Sequence, residues 1–201
     1  MGPPPLDCRF LRQTTVFRNV PRSRRMASGS KARREPTAIR NRSQGVSTVL
    51  EHLTTDDIEI GVHASDWEDA ISRSARSLLD AGKITQSYVD AMIEAIHRVG
   101  PYIVLADHVA LAHARPECGA RELAVHFTVL DQGVSFGSPR FDPIRLIITL
   151  AAVDDVSHLE LMAELAGVLI EPKNIDALIA SPTPHAFLRQ LKAFLPESLA
   201  A

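Results

Sequence analysis

Hydrophobic positions recur along this chain with two periods, about 3.6 and about 2, and the changes from one to the other mark its elements. Asp57-Ile58-Glu59-Ile60 alternates as a short strand does. Trp67, Ala70, Ile71, Ala75, Leu78 and Leu79 then repeat at helical spacing, opened by Ser65 as N-cap with Glu68 as its capping-box partner and stopped by Gly82. Thr85 opens a second helix with Tyr88, Val89, Met92, Ile93 and Ile96 on one face, and Gly100-Pro101 terminates it. Two apolar runs follow, Tyr102 to Ala106 and Val109 to Leu111, with a turn between them. Further strands are predicted at Leu123 to Leu130, Val134 to Phe136 and Ile144 to Ala151. The first and last of these are apolar at most positions, the pattern of strands covered on both faces.

Asp154-Asp155 caps a helix in which Leu159, Met162, Leu165, Ala166 and Leu169 form the repeating face, and Pro172 ends it. A short helix spans Asn174 to Ala180. The last has Thr183 as N-cap, Pro184 in its first turn, an apolar face of Phe187, Leu188, Leu191 and Leu195, and Pro196 as stop. The order is strand, two helices, a block of strands, three helices. It predicts an α/β fold: a mixed β-sheet flanked by helices on both faces, a three-layer sandwich in a single domain.

Charge divides the chain. Residues 1–45 carry eleven Lys and Arg against Asp7 and Glu35, a balance of +9; with a net charge of -2 overall, residues 46–201 hold -11. The first segment is rich in Arg, Ser and Pro without sustained apolar periodicity, and is expected to be a basic disordered tail or an over-extended start. A transit peptide and a nucleic-acid-binding arm are the other readings of it. Residues 46–201 form the expected domain, whose acidity excludes nucleic acid as its partner. No run of about 18 apolar residues occurs, so no direct membrane insertion is expected. Cys8 and Cys118 share neither metal-ligand nor redox spacing, which suits a reducing, cytoplasmic compartment.

The eight histidines contain no H-x-x-x-H or H-E-x-x-H pair, and no Cys/His cluster has zinc spacing, so no metal site is expected. Phosphate-binding glycine loops and the serine-hydrolase elbow are absent too, and no cofactor is implied. His113 follows the second apolar run, where a strand fixes the backbone and a loop leaves the side chain accessible. His158 falls in the first turn of the helix that follows the Ile144 to Ala151 strand. If those strands are parallel neighbours, the two imidazoles meet. Such a pair suits a phosphoryl carrier, in which one ring nitrogen attacks phosphorus while the other is held by a hydrogen bond. The helix N-terminus would add N–H donors, and Arg98 or Arg115 a guanidinium, for the phosphate oxygens. A plain strand-end histidine is the alternative on spacing alone. His108, His126 and His185 are expected to be structural.

Gly100-Pro101-Tyr102-Ile103-Val104-Leu105-Ala106, then Val109-Ala110-Leu111-Ala112-His113-Ala114-Arg115-Pro116, resembles the active-site segment of the enzyme IIA domain of the bacterial phosphoenolpyruvate-dependent sugar phosphotransferase system. The likeness is to the mannitol/fructose type, and within it to the ascorbate-like branch. Val134-Ser135-Phe136-Gly137 and the stretch from Ile147 to Ala152 with Ser157-His158-Leu159 fit two further family segments, so about residues 50 to 197 are covered. The resemblance implies a phosphotransferase with catalytic His113 and His158 and phosphate-binding Arg98. His113 would accept a phosphoryl group from the histidine-containing phosphocarrier protein and pass it to a cysteine of a IIB component, and so to a sugar entering through a IIC permease. The alternative is a regulatory or degenerate module of the same fold whose phosphorylation state a partner senses. Two departures bear on that choice: the family proline before the active histidine is Ala112, and its Pro-Gly turn is Asp107-His108, which is expected to set a negative charge near the incoming phosphate.

Overall fold

A computed structural model describes residues 49–195. The basic segment 1–45 with Cys8, the start of the expected domain at Val46 and the terminator Pro196 lie outside them. In chain order the elements are β1 (Ile58–Val62), α1 (Trp67–Ser74), α2 (Arg76–Asp80), α3 (Gln86–Val99), β2 (Val104–Ala106), β3 (Val109–Ala112), β4 (Ala124–Val134), β5 (Ile144–Ala151), α4 (Asp155–Leu169), α5 (Pro172–Ile179) and α6 (Pro184–Phe194). The five strands form one open mixed sheet in the order β1-β4-β5-β3-β2. β1 runs parallel to β4 and β3 parallel to β5, while the β4–β5 and β2–β3 pairs are antiparallel.

Alternation of side chains across the strands builds a core on each face of this sheet. On one face Ala110, Ala112, Ile147 and Ala151 meet Ile71, Leu78, Tyr88 and Met92 of α1 to α3. On the other, Val109, Leu111, Leu146, Ile148 and Leu150 meet Leu161, Leu165, Ile175, Phe187 and Leu191 of α4 to α6. The central strands are therefore covered twice: Ala124 to Leu130 is buried at every residue, and only Arg145 in β5 is less than fully buried. This is the predicted α/β sandwich with helices on both sides.

Several local expectations need correction. The cap of α1 is Asp66, not Ser65: Asp66 Oδ1 accepts from the Asp69 N–H at 2.9 Å, and Asp69 Oδ2 accepts from the Ser65 N–H at 2.9 Å. The side-chain cap is displaced by one residue, and Asp69 reaches back to Ser65, the residue before the cap, so the expected reciprocal box with Glu68 does not form. The predicted single helix also breaks at Ala75 into α1 and α2. Val134 to Phe136 is not a separate strand; β4 runs on through Gln132-Gly133 to Val134 with a shift of register. The buried face of α4 is Leu161, Leu165 and Val168, leaving Leu159 67% exposed. That helix is apolar nearly all round, so periodicity could not select its inner face. Pro172, expected to end α4, opens α5, where its missing N–H costs nothing. Among the described residues no helix is long and apolar enough to cross a membrane.

Candidate active site

β3 and β5 are parallel neighbours in register from Val109↔Leu146 to Ala112↔Thr149, so they end at the same rim of the sheet. Loops beyond the carboxyl ends of parallel strands are where α/β folds gather reactive groups. His113 is the first residue past β3, and β5 leads through Ala152-Val153 into α4, which carries His158 in its first turn. The two rings face each other with centroids 5.5 Å apart and an interplanar angle of 42°. On the other side of His113, Tyr102 packs edge-on at 5.9 Å. Sequence spacing alone gave no sign of Tyr102, although its place one residue after Pro101 puts it beside the loop in question.

The His113 ring has a defined orientation. Leu111 gives its N–H to Ile103 O at 2.9 Å, and its carbonyl oxygen lies 2.9 Å from His113 Nδ1. A carbonyl can only accept, so Nδ1 carries the hydrogen and the neutral ring leaves its lone pair on Nε2. Burial pushes the pKa of His113 below that of an ordinary histidine, the bond to Leu111 opposes the shift, and the nearby His158 adds to it. The ring is thus held neutral with one nitrogen tied and one free, the state a nucleophilic imidazole requires.

Other expected groups are placed differently. Two of the first-turn N–H groups of α4 are already engaged: Asp154 Oδ1 accepts from Val156 and Ser157 at 2.9 Å each. The Ser157 hydroxyl, then the backbone N–H groups of Ser157 and Val156, hold the Asp154 carboxyl below the usual range. The helix start therefore presents an ionised carboxylate, and two of the N–H groups expected to serve phosphate are engaged with it. Asp107 is at the other end of β3 from His113, roughly 15–20 Å away by strand rise, so it does not set its charge beside an incoming phosphate. His108 takes φ 65° in that turn, and its Nδ1 bonds Pro143 O at 2.7 Å. Ala112 is buried in the ladder opposite Thr149.

Arg98 is exposed in the last turn of α3 and makes no hydrogen bond or ion pair among the described residues. Its charge is felt at Tyr102, where it opposes the burial that raises the hydroxyl pKa. Arg115 pairs loosely with Glu117 at 3.9 Å. Among the described residues no group of three or more His, Cys, Asp or Glu is placed to hold a metal ion. Tyr88, expected only as a core position, brings its hydroxyl to Ala114 and Leu150. A tyrosine on an apolar helix face was the available signal, because a buried phenol needs a partner.

The sheet and its rim define a class: an α/β domain that presents two imidazoles side by side at the carboxyl ends of a parallel strand pair. The family model described as phosphoenolpyruvate-dependent sugar phosphotransferase system, EIIA 2, matches residues 51–194. The mannitol-specific cryptic phosphotransferase enzyme IIA component of Escherichia coli (strain K12) is 37% identical over 131 residues, 65% of this chain and 88% of that protein. The ascorbate-specific PTS system EIIA component of Shigella flexneri is 30% identical over 132 residues, 65% of this chain and 86% of that protein. Among solved structures, IIA mannitol in the complex of enzyme IIAMTL and phosphorylated enzyme IIBMTL from Escherichia coli superposes with a TM-score of 0.62 at 25% identity, covering 70% of this chain and 97% of that one. The chain belongs to the EIIA 2 family of the sugar phosphotransferase system and is a phosphocarrier of that system.

Proposed function

We propose that His113 is the phosphoacceptor and that Nε2 is the atom that carries the phosphoryl group. The observation that carries this reading is the 2.9 Å bond from His113 Nδ1 to Leu111 O, which leaves Nε2 free beside the His158 ring. In the forward step the Nε2 lone pair attacks phosphorus of a phosphohistidine on the histidine-containing phosphocarrier protein. The donor P–N bond breaks and its electron pair returns to the donor ring. In the second step a thiolate of a IIB component attacks the same phosphorus, the new P–N bond breaks, and Nε2 recovers its lone pair. The complex of a relative with phosphorylated IIB supports that second partner. A IIC permease would then receive the phosphoryl group only indirectly, on the incoming sugar.

His158 serves in this scheme as a hydrogen-bond donor to the phosphoryl oxygens and as a wall that orients the acceptor ring. Arg98 adds a more distant positive charge at the rim, next to Tyr102. Residues 46–201 form the working unit, and the donor chain from phosphoenolpyruvate puts it in the cytoplasm. The test is phosphotransfer from phosphoenolpyruvate through enzyme I and the phosphocarrier protein, scored as acid-labile phosphate on wild type, His113→Ala and His158→Ala. Label on wild type and none on folded His113→Ala is the expected result, with His158→Ala labelled slowly. No label on folded wild type, or undiminished label on His113→Ala, would overturn the assignment.

A further inference from the structure

On the footing that His113 is the phosphoacceptor, we propose that Tyr88 is a positioning residue for it: its hydroxyl fixes the segment just after the acceptor and so sets the aim of the imidazole. The β3–β5 ladder stops at Ala112↔Thr149, so Ala114 lies beyond the last paired residue of β3. Backbone groups buried at such a place need partners from elsewhere. Tyr88 supplies them from α3. Its oxygen accepts from the Ala114 N–H at 3.1 Å, and its hydroxyl hydrogen is shared between Ala114 O at 3.0 Å and Leu150 O at 2.9 Å.

These three bonds join one strand to the other past the end of their ladder. Leu150 is the residue after Thr149 on β5, and Ala114 is the residue after His113. The phenol therefore ties the segment just after His113 to the end of β5, the strand that leads into α4 and His158. It is itself fixed, with no exposed surface, among Val89, Met92, Ala110 and Ala112 in the core beneath the rim. Burial pushes its pKa up to about 12, so the group holds its proton and acts through geometry and not as an acid or base in the transfer.

The acceptor is then bracketed. Two residues before Ala114's neighbour, Leu111 holds Nδ1 through its carbonyl; on the other side, Ala114 is held by Tyr88. With both anchors the ring can present Nε2 only in one direction. With Ala114 released, the His113 backbone regains its freedom and the Nδ1 to Leu111 O bond becomes one of several arrangements. In-line transfer loses about a hundredfold for a misplacement of about 1 Å, so even a small release is measurable.

Tyr88→Phe keeps the ring and removes the hydroxyl. Transfer into and out of His113 is expected to slow by about 10- to 100-fold, and two signals of the acceptor should move with it. The ring 15N shifts of His113 should show a smaller share of the Nδ1–H tautomer, and its titration midpoint should rise toward that of an ordinary histidine. Asn174→Ala is the control for lost stability, because it deletes a buried bond to Val168 O at 2.9 Å in the opposite helical layer. Its His113 shifts and transfer rate should match wild type. Wild type and His113→Ala are labelled in the same series, so a failure of the phosphoacceptor assignment appears as no label on wild type or as undiminished label on His113→Ala. Label on wild type with a Tyr88→Phe rate within twofold of it and unchanged His113 shifts would overturn the role of Tyr88 alone.

If Tyr88→Phe does not fold, the chain's two tyrosines allow a gentler change. On a Tyr102→Phe background, uniform 3-fluorotyrosine enters only at position 88, where one small ring fluorine makes the hydroxyl a better donor and a poorer acceptor. His113 15N shifts that move relative to the unfluorinated Tyr102→Phe protein support the positioning role. Shifts that stay fixed refute it.

Discussion

Replacing His126 by leucine should stabilise this protein, and by more in acid than at neutral pH. His126 sits near the start of β4, opposite Thr149 of β5 and 2% exposed, and neither of its ring nitrogens has a hydrogen-bond partner among the described residues. Burial pushes its pKa down, with Asp57 opposing that shift and Lys83 reinforcing it. An unsatisfied buried polar group costs about 1–3 kcal/mol. Leucine is close in volume and asks for no partner, although imperfect fit returns up to about 1 kcal/mol. The net expectation at pH 7.5 is about 1–2 kcal/mol of added stability, or a rise in Tm of about 2–8 °C for a domain of this size. The acid effect follows from linkage. An unfolded histidine takes its proton near pH 6.5, whereas folded His126 waits for lower pH, so the unfolded chain binds more protons and stability falls as pH drops below 6.5. That loss runs at up to about 1.4 kcal/mol per pH unit, and the leucine variant escapes it. Thermal or urea unfolding of both proteins at pH 7.5, 6.5 and 5.5 measures the two effects. A variant no more stable at pH 7.5, with a gap that stays constant to pH 5.5, would show that the imidazole is satisfied and protonates in place.

The depressed pKa of His113 makes a related forecast: its NMR titration midpoint lies below 6.5, and phosphoryl acceptance persists as pH falls through that value, failing only at lower pH when Nε2 is protonated. A midpoint at or above 6.5 would contradict the burial and the orientation described here. Gly119→Ala should cost at least about 2 kcal/mol in urea unfolding, because φ there is 130° and a methyl group would run into the Thr85 hydroxyl. The same change should slow transfer, since Gly119 O accepts the Thr85 N–H and holds the turn after His113 to the start of α3. Arg98→Ala should lower the transfer rate by less than about tenfold, and less still at high salt, since an exposed charge acting through Tyr102 is screened. A loss as deep as that of His113→Ala would mean that Arg98 reaches the phosphoryl group directly.

The parts of this molecule that could be read from sequence are those fixed by short-range pattern. β5 was legible to the residue because Ile144 to Ala151 is apolar but for Arg145 and Thr149, begins after Pro143 and lies just before the Asp154-Asp155 helix cap. The meeting of His113 and His158 could be stated only as a condition, that two particular strands be parallel neighbours. Periodicity tells which way a side chain points on its own strand, not which strand lies beside it. Where several carboxylates crowd one helix start, as at Ser65 to Asp69, the sequence offers two caps and only the backbone selects between them. At α4 the sequence identifies the cap, Asp154, while only the structure shows that this cap engages the Val156 and Ser157 N–H groups and so withdraws those two from the site.

That last point changes how the charge of a phosphoryl group is met at this rim. With the Val156 and Ser157 N–H groups engaged and Asp154 held ionised, the helix start contributes repulsion as well as dipole, and the two oppose each other. On the proposed assignment, the groups that would favour a phosphoryl group are the facing imidazole of His158 and the remote guanidinium of Arg98. A carrier must release its phosphoryl group as readily as it accepts it, and a site of full positive complementarity would hold it too firmly. A neutral, pre-aimed acceptor ring beside one imidazole and one capped carboxylate is suited to a group that has to leave again. In such a site the rate depends on how well His113 is aimed, more than on how strongly the phosphate is bound.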